Sequence, residues 1–221
     1  MTRPPRTNDL DGNAPDTSPV VLLVIDAIND FTFEGAREVL AGARPMAGRI
    51  RRLKSLARRV GVPTVYVNDN FGRWRSDFRK LVAHCGGTTA RGRDVTRRLR
   101  PDARDYFVLK PRHSGFFSTT LDLLLQHFEA RTLILTGLLT DICVLFTAQD
   151  AYMRGYQLIV PADCVVARTP ADHTRALTHM RRTLKADTRR STTLDFDGLL
   201  RAADQPAHRR PRRSRRGSGT S

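Results

Sequence analysis

The sequence is poor in cysteine, with three residues at positions 85, 143 and 164 in a chain of 221. An odd and sparse set of this kind argues against a disulfide framework. Long apolar runs are also missing, since none approaches the roughly 20 residues that a membrane-spanning helix needs. The first 18 residues lack the apolar core of a secretory signal. Together these absences predict a reduced, cytoplasmic protein without a membrane partner.

Acidic residues are few as well, with 22 Asp and Glu against 38 Lys and Arg and a net charge of +16. The excess is uneven, because residues 205–221 hold six Arg and no acid among Pro, Ser and Gly. Aromatic residues make up only 7% of the chain, and they do not interleave with basic ones as in strand-binding grooves. The charge therefore favours a solvated arginine-rich surface over a nucleic-acid interface. The partner of the basic tail stays open.

Composition divides the chain into three segments. Residues 1–18 and 205–221 are predicted to be disordered because they cannot bury a core, and residues 19–204 to form one domain. Within this domain, short apolar runs alternate with amphipathic helical stretches, which predicts an α/β fold. The expected architecture is three-layered and Rossmann-like, with a doubly wound, mostly parallel six-stranded sheet between helices. Predicted strands cover 20–25, 62–67, 106–109, 132–136, 157–160 and 186–190, and predicted helices 45–60, 118–128 (capped by Ser118), 143–154, 171–184 and 194–202.

Three reactive side chains follow predicted strands. Asp26 comes directly after the first strand, Lys110 after the third, and Cys143 where the fourth strand passes into a helix. Because parallel strands end at one edge of a sheet, these residues are expected to share a crevice there. Each also has an ordinary structural alternative. Asp26 can cap a helix, Lys110 can extend along the surface, and Cys143 can be a small buried residue.

These residue types fit nucleophilic catalysis. A thiol in the first turn of a helix near a lysine is expected to have a lowered pKa. The Asp26 carboxylate can accept the thiol proton and return it to a leaving group, while Lys110 holds both groups charged. Backbone N–H groups at the helix start can stabilise an oxyanion. The set predicts acyl transfer through a thioester, followed by hydrolysis.

The sequence resembles the isochorismatase-like cysteine hydrolase superfamily, which includes nicotinamidases and N-carbamoylsarcosine amidohydrolase. The matching segments, in family order and at family spacing, are residues 24–31 (VIDAINDF), 110–116 (KPRHSGF) and 137–144 (GLLTDICV). The resemblance implies Asp26 as the base, Lys110 as the third triad member and Cys143 as the nucleophile. It also implies a cis peptide bond between Leu138 and Leu139, an oxyanion hole built from the N–H groups of Leu139 and Cys143, and a homo-oligomer, either dimer or tetramer.

The departures from the family bear on the substrate. Nicotinamidases carry a metal-binding Asp-x-His after the second strand. This chain keeps Asp69 but has Phe71 in place of the histidine, and the next histidine along the chain, His84, is distant in sequence. No metal is therefore expected, and nicotinamidase activity is disfavoured. Family members that hydrolyse isochorismate lack the cysteine, so Cys143 disfavours that reaction too. The prediction is a metal- and cofactor-independent hydrolase of a small amide, ureido or imide C–N bond.

Substrate specificity is expected from the long segment 68–101, which is either a lid or holds short helices. Arg73, Arg75 and Arg112 would favour an anionic substrate. Two alternatives remain: a hydrolase of an ester or vinyl ether that uses the same triad, and a binding protein with a vestigial triad and a basic tail. Cys85 and Cys164 are weaker nucleophile candidates. Cys85 lies in a Gly-rich segment with no base assigned nearby, and Cys164 follows Asp163 after the fifth strand, where a small buried residue is the ordinary occupant. The candidate pocket residues are Phe31, Asn70, Trp74, His113 and Phe116.

Overall fold

The computed structural model describes residues 16–71 and 77–204. Its sheet has five parallel strands in the order β3-β2-β1-β4-β5, and a sixth short strand, β6, pairs in parallel with β4. This confirms the predicted α/β class and the parallel six-stranded sheet. The strands are β1 (Val20–Ile25), β2 (Thr64–Asp69), β3 (Tyr106–Lys110), β4 (Thr132–Leu138), β5 (Gln157–Ile159) and β6 (Val165–Val166).

Helices connect the strands in the alternating pattern that the sequence predicts. A π-helical turn at Thr140–Val144 precedes α5, and 3-10 turns lie at Ala162–Cys164 and Ser191–Thr193. Within the described ranges, the helices are α1 (Ala36–Arg59), α2 (Phe78–Cys85), α3 (Arg93–Arg98), α4 (Leu121–His127), α5 (Leu145–Met153), α6 (Pro170–Thr183) and α7 (Phe196–Asp204).

Strands β1 and β4 lie at the centre because both are apolar on both faces. Every residue of each strand is buried, as expected for parallel strands covered by helices on both sides. Their register runs from Val20 beside Thr132 to Ile25 beside Gly137. The residues that follow these two strands therefore start from the same level of the sheet.

Two apolar cores flank the sheet and give the predicted three layers. Alternate residues of β1 serve each core, since successive side chains of a strand point to opposite faces. Leu22 packs in the core that includes residues of α1, α2, α3 and α7, and Leu23 packs in the core formed with α4, α5 and α6.

Helix α1 begins at Ala36, so the prediction that it starts at Pro45 is wrong. A proline inside a helix removes one hydrogen bond and crowds the preceding turn, at a cost of about 3 kcal/mol. Here the apolar face continues on the N-terminal side of Pro45, where Ala36, Val39 and Ala43 are buried. The burial of these additional turns, residues 36–44, offsets the cost of the proline.

The sixth strand is also not where the sequence predicts it. In residues 186–190 the structure has only an isolated bridge between Asp187 and Ile159. Strand β6 instead pairs Val165 with Gly137 and Val166 with Leu138. Strand β5 covers the first part of β4 and β6 covers its carboxyl end, and a two-residue strand is too short to show a periodic pattern.

Three smaller expectations can be compared with the structure. The long segment 68–101 contains the short helices α2 and α3, one of its two expected forms. Ser118 does not cap α4, because its φ is 52° and the helix begins three residues later at Leu121. Ser18, assigned to the disordered N-terminus, is buried and donates its N–H to the Phe128 carbonyl at 2.8 Å. Asp16, from the same segment, accepts a hydrogen bond from the Tyr106 hydroxyl at 2.6 Å, and residues 1–15 and 205–221 lie outside the described residues.

In the part of the chain that the structure describes, no helix has both the length and the apolar character needed to cross a membrane.

Candidate active site

The carboxyl ends of three strands bring Asp26, Lys110 and Cys143 together. Asp26 directly follows β1 with a φ of 48°, Lys110 is the last residue of β3, and Cys143 lies in the π-helical turn after β4. Because the strands are parallel, these ends share one edge of the sheet. The three residues that the sequence singles out therefore form one cluster.

Lys110 lies at the centre of this cluster. Its Nζ is 2.8 Å from Oδ2 of Asp26 and 3.6 Å from Sγ of Cys143, and it donates to the carbonyl of Arg112 at 3.1 Å. The lysine side chain is 0% exposed and that of Asp26 is 9% exposed. A buried ammonium needs a charged partner, because an unpaired charge is costly to desolvate. Asp26 is that partner, with Oδ2 of Asp69 next at 3.7 Å.

The carboxyl group of Asp26 is held on both oxygens. Oδ2 faces Lys110, and Oδ1 accepts the backbone N–H of Asp69 at 2.7 Å. Burial raises the pKa of Asp26 above its ordinary 3.8, and the attraction of Lys110 opposes this shift. Burial alone would lower the pKa of Lys110, but the negative charges around it raise that pKa overall. The short ion pair and the N–H donor favour the charged forms, so we assign a carboxylate and an ammonium at neutral pH.

Cys143 lies close enough to the Asp26 side chain for each group to shift the pKa of the other. Burial and the charge of Asp26 raise the pKa of the Cys143 thiol, and Lys110 opposes this effect. The predicted lowering of this pKa is therefore wrong, because desolvation and the neighbouring carboxylate outweigh the attraction of the lysine. A thiol that stays protonated needs a base to act as a nucleophile, and Asp26 is the neighbouring carboxylate that can take its proton.

The turn between β4 and Cys143 has the backbone that the resemblance implies. The peptide bond between Leu138 and Leu139 is cis. The Leu139 carbonyl accepts the N–H groups of Ile142 and Val144, both at 3.1 Å. Gly137 has a φ of 113°, and a Cβ there would lie 1.9 Å from the Ile25 carbonyl oxygen. The turn is thus pressed against β1, while the oxyanion role of the Leu139 and Cys143 N–H groups stays a prediction.

A hydrogen bond from this turn to helix α6, which the sequence did not predict, also holds the turn in place. Oγ1 of Thr140 lies 3.0 Å from Nδ1 of His173 on α6, and His173 also hydrogen-bonds the Ala162 backbone. Burial lowers the pKa of His173, which favours its neutral form. The pair joins residues that are distant in the chain, and the only signal in the sequence is a polar Thr140 that directly follows the apolar Leu138 and Leu139.

Two candidate pocket residues lie beside the cluster of Asp26, Lys110 and Cys143. Nδ1 of His113 is 3.9 Å from Sγ of Cys143, and its ring contacts that of Phe146 with centroids 5.5 Å apart. The N–H of Asn70 donates to the Lys110 carbonyl at 3.1 Å. Phe146 is half exposed, so the two rings form an accessible wall next to the sulfur.

The structure does not place the two candidate phenylalanines in such a wall. Phe31 is fully buried in the core, with its ring against Gly92. Phe116 is also buried, and the guanidinium of Arg154 covers its ring at 4.6 Å. Large aromatic side chains in a motif also serve the core, and the role of Phe31 and Phe116 in lining the pocket stays a prediction. Trp74 lies outside the described residues, as do Arg73 and Arg75.

A cavity of about 280 Å³ has Asp69 and Asn70 in its wall, and Asp69 contacts both Asp26 and Lys110. His84, which the sequence places far from Asp69, lines the same cavity, and its Nε2 lies 2.9 Å from Oδ2 of Asp30. Burial opposes the shift, but bonds from His84 and Thr32 lower the pKa of Asp30. Across residues 16–71 and 77–204, no group of three or more His, Cys, Asp or Glu side chains is arranged to hold a metal ion.

Comparison with known proteins identifies the family of this chain. A model described as the Isochorismatase domain matches residues 20–191. The chain belongs to the isochorismatase family. It is 38% identical over 166 residues to the uncharacterized isochorismatase family protein YaaI of Bacillus subtilis, which covers 75% of this chain and 91% of YaaI. The predicted superfamily, and with it the hydrolase class, is confirmed.

Other similar proteins of the isochorismatase family carry names of amide hydrolases. Ureidoacrylate amidohydrolase RutB of Serratia proteamaculans is 31% identical over 167 residues, which are 64% of this chain and 67% of RutB. The crystal structure of N-carbamoylsarcosine amidase from Thermoplasma acidophilum aligns with a TM-score of 0.60 and 32% identity, over 80% of this chain and 98% of the amidase. The fold and the family are therefore shared with named amidohydrolases.

Proposed function

We propose that this isochorismatase-family hydrolase is a metal-independent cysteine enzyme that cleaves an amide, ureido or imide C–N bond of a small molecule. The observation that carries the proposal is the position of Lys110, whose Nζ lies 2.8 Å from Oδ2 of Asp26 and 3.6 Å from Sγ of Cys143. A nucleophile, a base and a fixed positive charge are the parts that covalent hydrolysis needs. Metal independence is inferred from Phe71, which stands where nicotinamidases have a metal-binding histidine.

The first half of the reaction forms the thioester. Sγ of Cys143 bonds to the substrate carbonyl carbon while the thiol proton passes to Asp26, and negative charge collects on the carbonyl oxygen. The N–H groups of Leu139 and Cys143 are the donors proposed for that oxygen. The C–N bond then breaks as Asp26 gives its proton to the departing nitrogen. An amine or ammonia leaves, and the acyl group stays on the sulfur.

The second half releases the acid. Asp26, again a carboxylate, takes a proton from water as the water oxygen bonds to the thioester carbon. The C–S bond breaks, and the sulfur regains its proton from Asp26. The sum is one substrate and one water converted to an acid and an amine.

Lys110 stays charged in every step. Its Nζ lies between the carboxylate and the sulfur, so it favours an ionised base and stabilises the negative charge that develops on Sγ. The raised pKa of the Cys143 thiol means that the proton moves as the substrate is attacked, not before it binds.

The substrate class is proposed from the relatives and from the wall of the site. The names ureidoacrylate amidohydrolase and N-carbamoylsarcosine amidase support a ureido or carbamoyl C–N bond as the first group to test. His113 and Phe146 place two rings beside Sγ, which suits a flat ureido group better than a bulky one.

A substrate panel tests the proposal. Wild type, Cys143→Ser and a Cys164→Ala control are assayed with N-carbamoyl amino acids, ureido acids, primary amides and carboxylic esters, by ammonia or acid release. We expect ureido or amide hydrolysis by wild type and by the control, and a loss of at least about 1,000-fold in Cys143→Ser. Hydrolysis of esters alone would replace the proposal with the ester alternative. Inactivity of wild type on every class would replace it with the binding-protein alternative.

A further inference from the structure

A second cavity, of about 680 Å³, lies between α2, α3 and the beginning of β3. We call it the α2–α3 groove. Its volume is within the range of about 300–1,000 Å³ that is usual for small-molecule sites. It contains none of Asp26, Lys110 and Cys143, so the proposed hydrolysis does not account for it.

One wall of the α2–α3 groove is an ordered pair of aromatic rings. The rings of Phe78 and Phe107 are stacked, with centroids 4.9 Å apart and planes 8° from parallel. Phe78 is 5% exposed, whereas Phe107 is 54% exposed. The buried ring therefore holds the exposed one in place. A fixed ring with free surface is a platform on which a planar ring can stack.

The charges around the groove are not balanced. Arg79, Arg97 and Arg100 line it, and none of them has an ion-pair partner among residues 16–71 and 77–204.

The acidic residues of the groove do not compensate these arginines. Asp102 and Asp105 also line it, but both carboxylates are already bound by Lys54 and Arg58 of α1. The groove therefore keeps a positive charge. Guanidinium groups bind phosphate and carboxylate oxygens in a planar, two-pronged geometry.

We propose that the α2–α3 groove binds a small aromatic anion, a planar ring that carries phosphate or carboxylate groups. The ring stacks on Phe107, and Arg79, Arg97 and Arg100 hold the charged groups. A neutral apolar ligand would desolvate the guanidinium groups without a counter-charge. The arginine-rich segment 205–221 is excluded as the occupant, because it has the same sign of charge as the groove.

The groove and the triad share a strand but no residue. Phe107 and Lys110 both belong to β3, beside Tyr66 and Asp69 of β2. Because the two sites share no residue, ligand binding at the groove can be measured directly, without an activity assay. Absence of binding there would not contradict the proposed hydrolysis.

Isothermal titration calorimetry at low ionic strength with AMP, which has a planar ring and a phosphate, tests the inference. Adenosine and inorganic phosphate serve as the partial probes. We expect saturable one-to-one binding of AMP, with adenosine and phosphate each at least about 10-fold weaker. The double variant Arg97→Gln/Arg100→Gln and the variant Phe107→Ala should each weaken AMP binding about 10-fold or more, whereas Phe107→Tyr should retain it because it keeps the ring.

The double variant Arg51→Gln/Arg52→Gln is the matched control, because it removes the same charge from an exposed part of α1. An equal loss of AMP affinity in this control would overturn the proposal, since the binding would then follow net charge. Absence of saturable AMP binding would overturn it, and so would phosphate binding as tight as that of AMP. If Phe107→Ala instead dissociates an oligomer in sedimentation velocity and AMP does not bind, the groove is an interface between copies and the proposal fails.

Discussion

The Nζ of Lys110 lies 2.8 Å from Oδ2 of Asp26, although the strands that carry the two residues are not neighbours in the sheet. Strand β2 lies between β1 and β3, and its Asp69 contributes both an N–H to Asp26 and a carboxylate to Lys110. Three strand ends thus fix one buried ion pair against the nucleophile. Each of its two charges therefore depends on the other.

Lys110→Met keeps the length of the side chain and removes its charge. Because Asp26 would then be buried without a counter-charge, we expect a loss of about 3–5 kcal/mol in the free energy of unfolding, measured in urea. We also expect kcat/KM to fall by at least about 100-fold. Lys80→Met is the control, since Lys80 makes only an exposed ion pair with Asp77, and it should change stability by less than about 1 kcal/mol. A stable and active Lys110→Met would contradict the assignment.

The pH dependence of kcat/KM reports the ionisation of Asp26 in the free enzyme. The base must be unprotonated, and burial raises its pKa, so activity should fall as the pH decreases and the acid limb should lie above the ordinary value of 3.8. Asp26→Asn should be inactive at every pH. The measurement is kcat/KM from pH 4 upward, with circular dichroism to show that the protein stays folded. A limb at the ordinary aspartate value would contradict the buried, raised pKa.

Alkylation of Cys143 tests the raised pKa of its thiol. At neutral pH, iodoacetamide should label Cys143 more slowly than it labels glutathione, because little thiolate is present. Asp26→Asn removes the carboxylate that raises this pKa, so labelling should accelerate while hydrolysis is lost. Peptide mapping identifies the labelled residue, and Cys143→Ala is the blank. Fast labelling in wild type that slows in Asp26→Asn would show a thiolate paired with its base instead.

His173 should make folding sensitive to mild acid. Its pKa is lowered from 6.5 in the folded chain, so below pH 6.5 the unfolded state binds more protons than the native state. The free energy of unfolding should be at its full value above this pH and decrease as the pH falls through it. His173→Gln keeps a hydrogen-bonding side chain but does not titrate. Urea titrations above and below pH 6.5 should therefore show a smaller decrease in its free energy of unfolding than in that of the wild type. An unchanged slope would assign the pH dependence to other groups.

Much of the sheet, and the clustering of Asp26, Lys110 and Cys143, could be predicted from the sequence, because each depends on a strong local pattern. Strand β1 is an unbroken apolar run, and its burial on both faces follows from that composition. Asp26 and Lys110 directly follow such runs, at the carboxyl ends of parallel strands, where open α/β sheets bind their ligands. The placement of Cys143 needed only the change from an apolar strand to a helical period.

What the sequence could not provide depends on contacts between distant residues. The start of α1 was missed because the burial of Val39 outweighs a proline signal at Pro45. Strand β6 was missed because two residues carry no period. The pKa of the Cys143 thiol was predicted in the wrong direction, since a helix start is visible in the sequence and the desolvation of a sulfur beside Asp26 is not.

The most direct test of the account is the mass of the enzyme during turnover. Wild-type protein is mixed with the best ureido or amide substrate, quenched in acid at short times, and examined by intact-protein and peptide mass spectrometry. We predict an adduct with the mass of the acyl group on the peptide that holds Cys143, released by neutral hydroxylamine as a thioester is, and absent in Cys143→Ala. An adduct on another residue, or steady turnover by Cys143→Ala, would contradict covalent catalysis by this thiol.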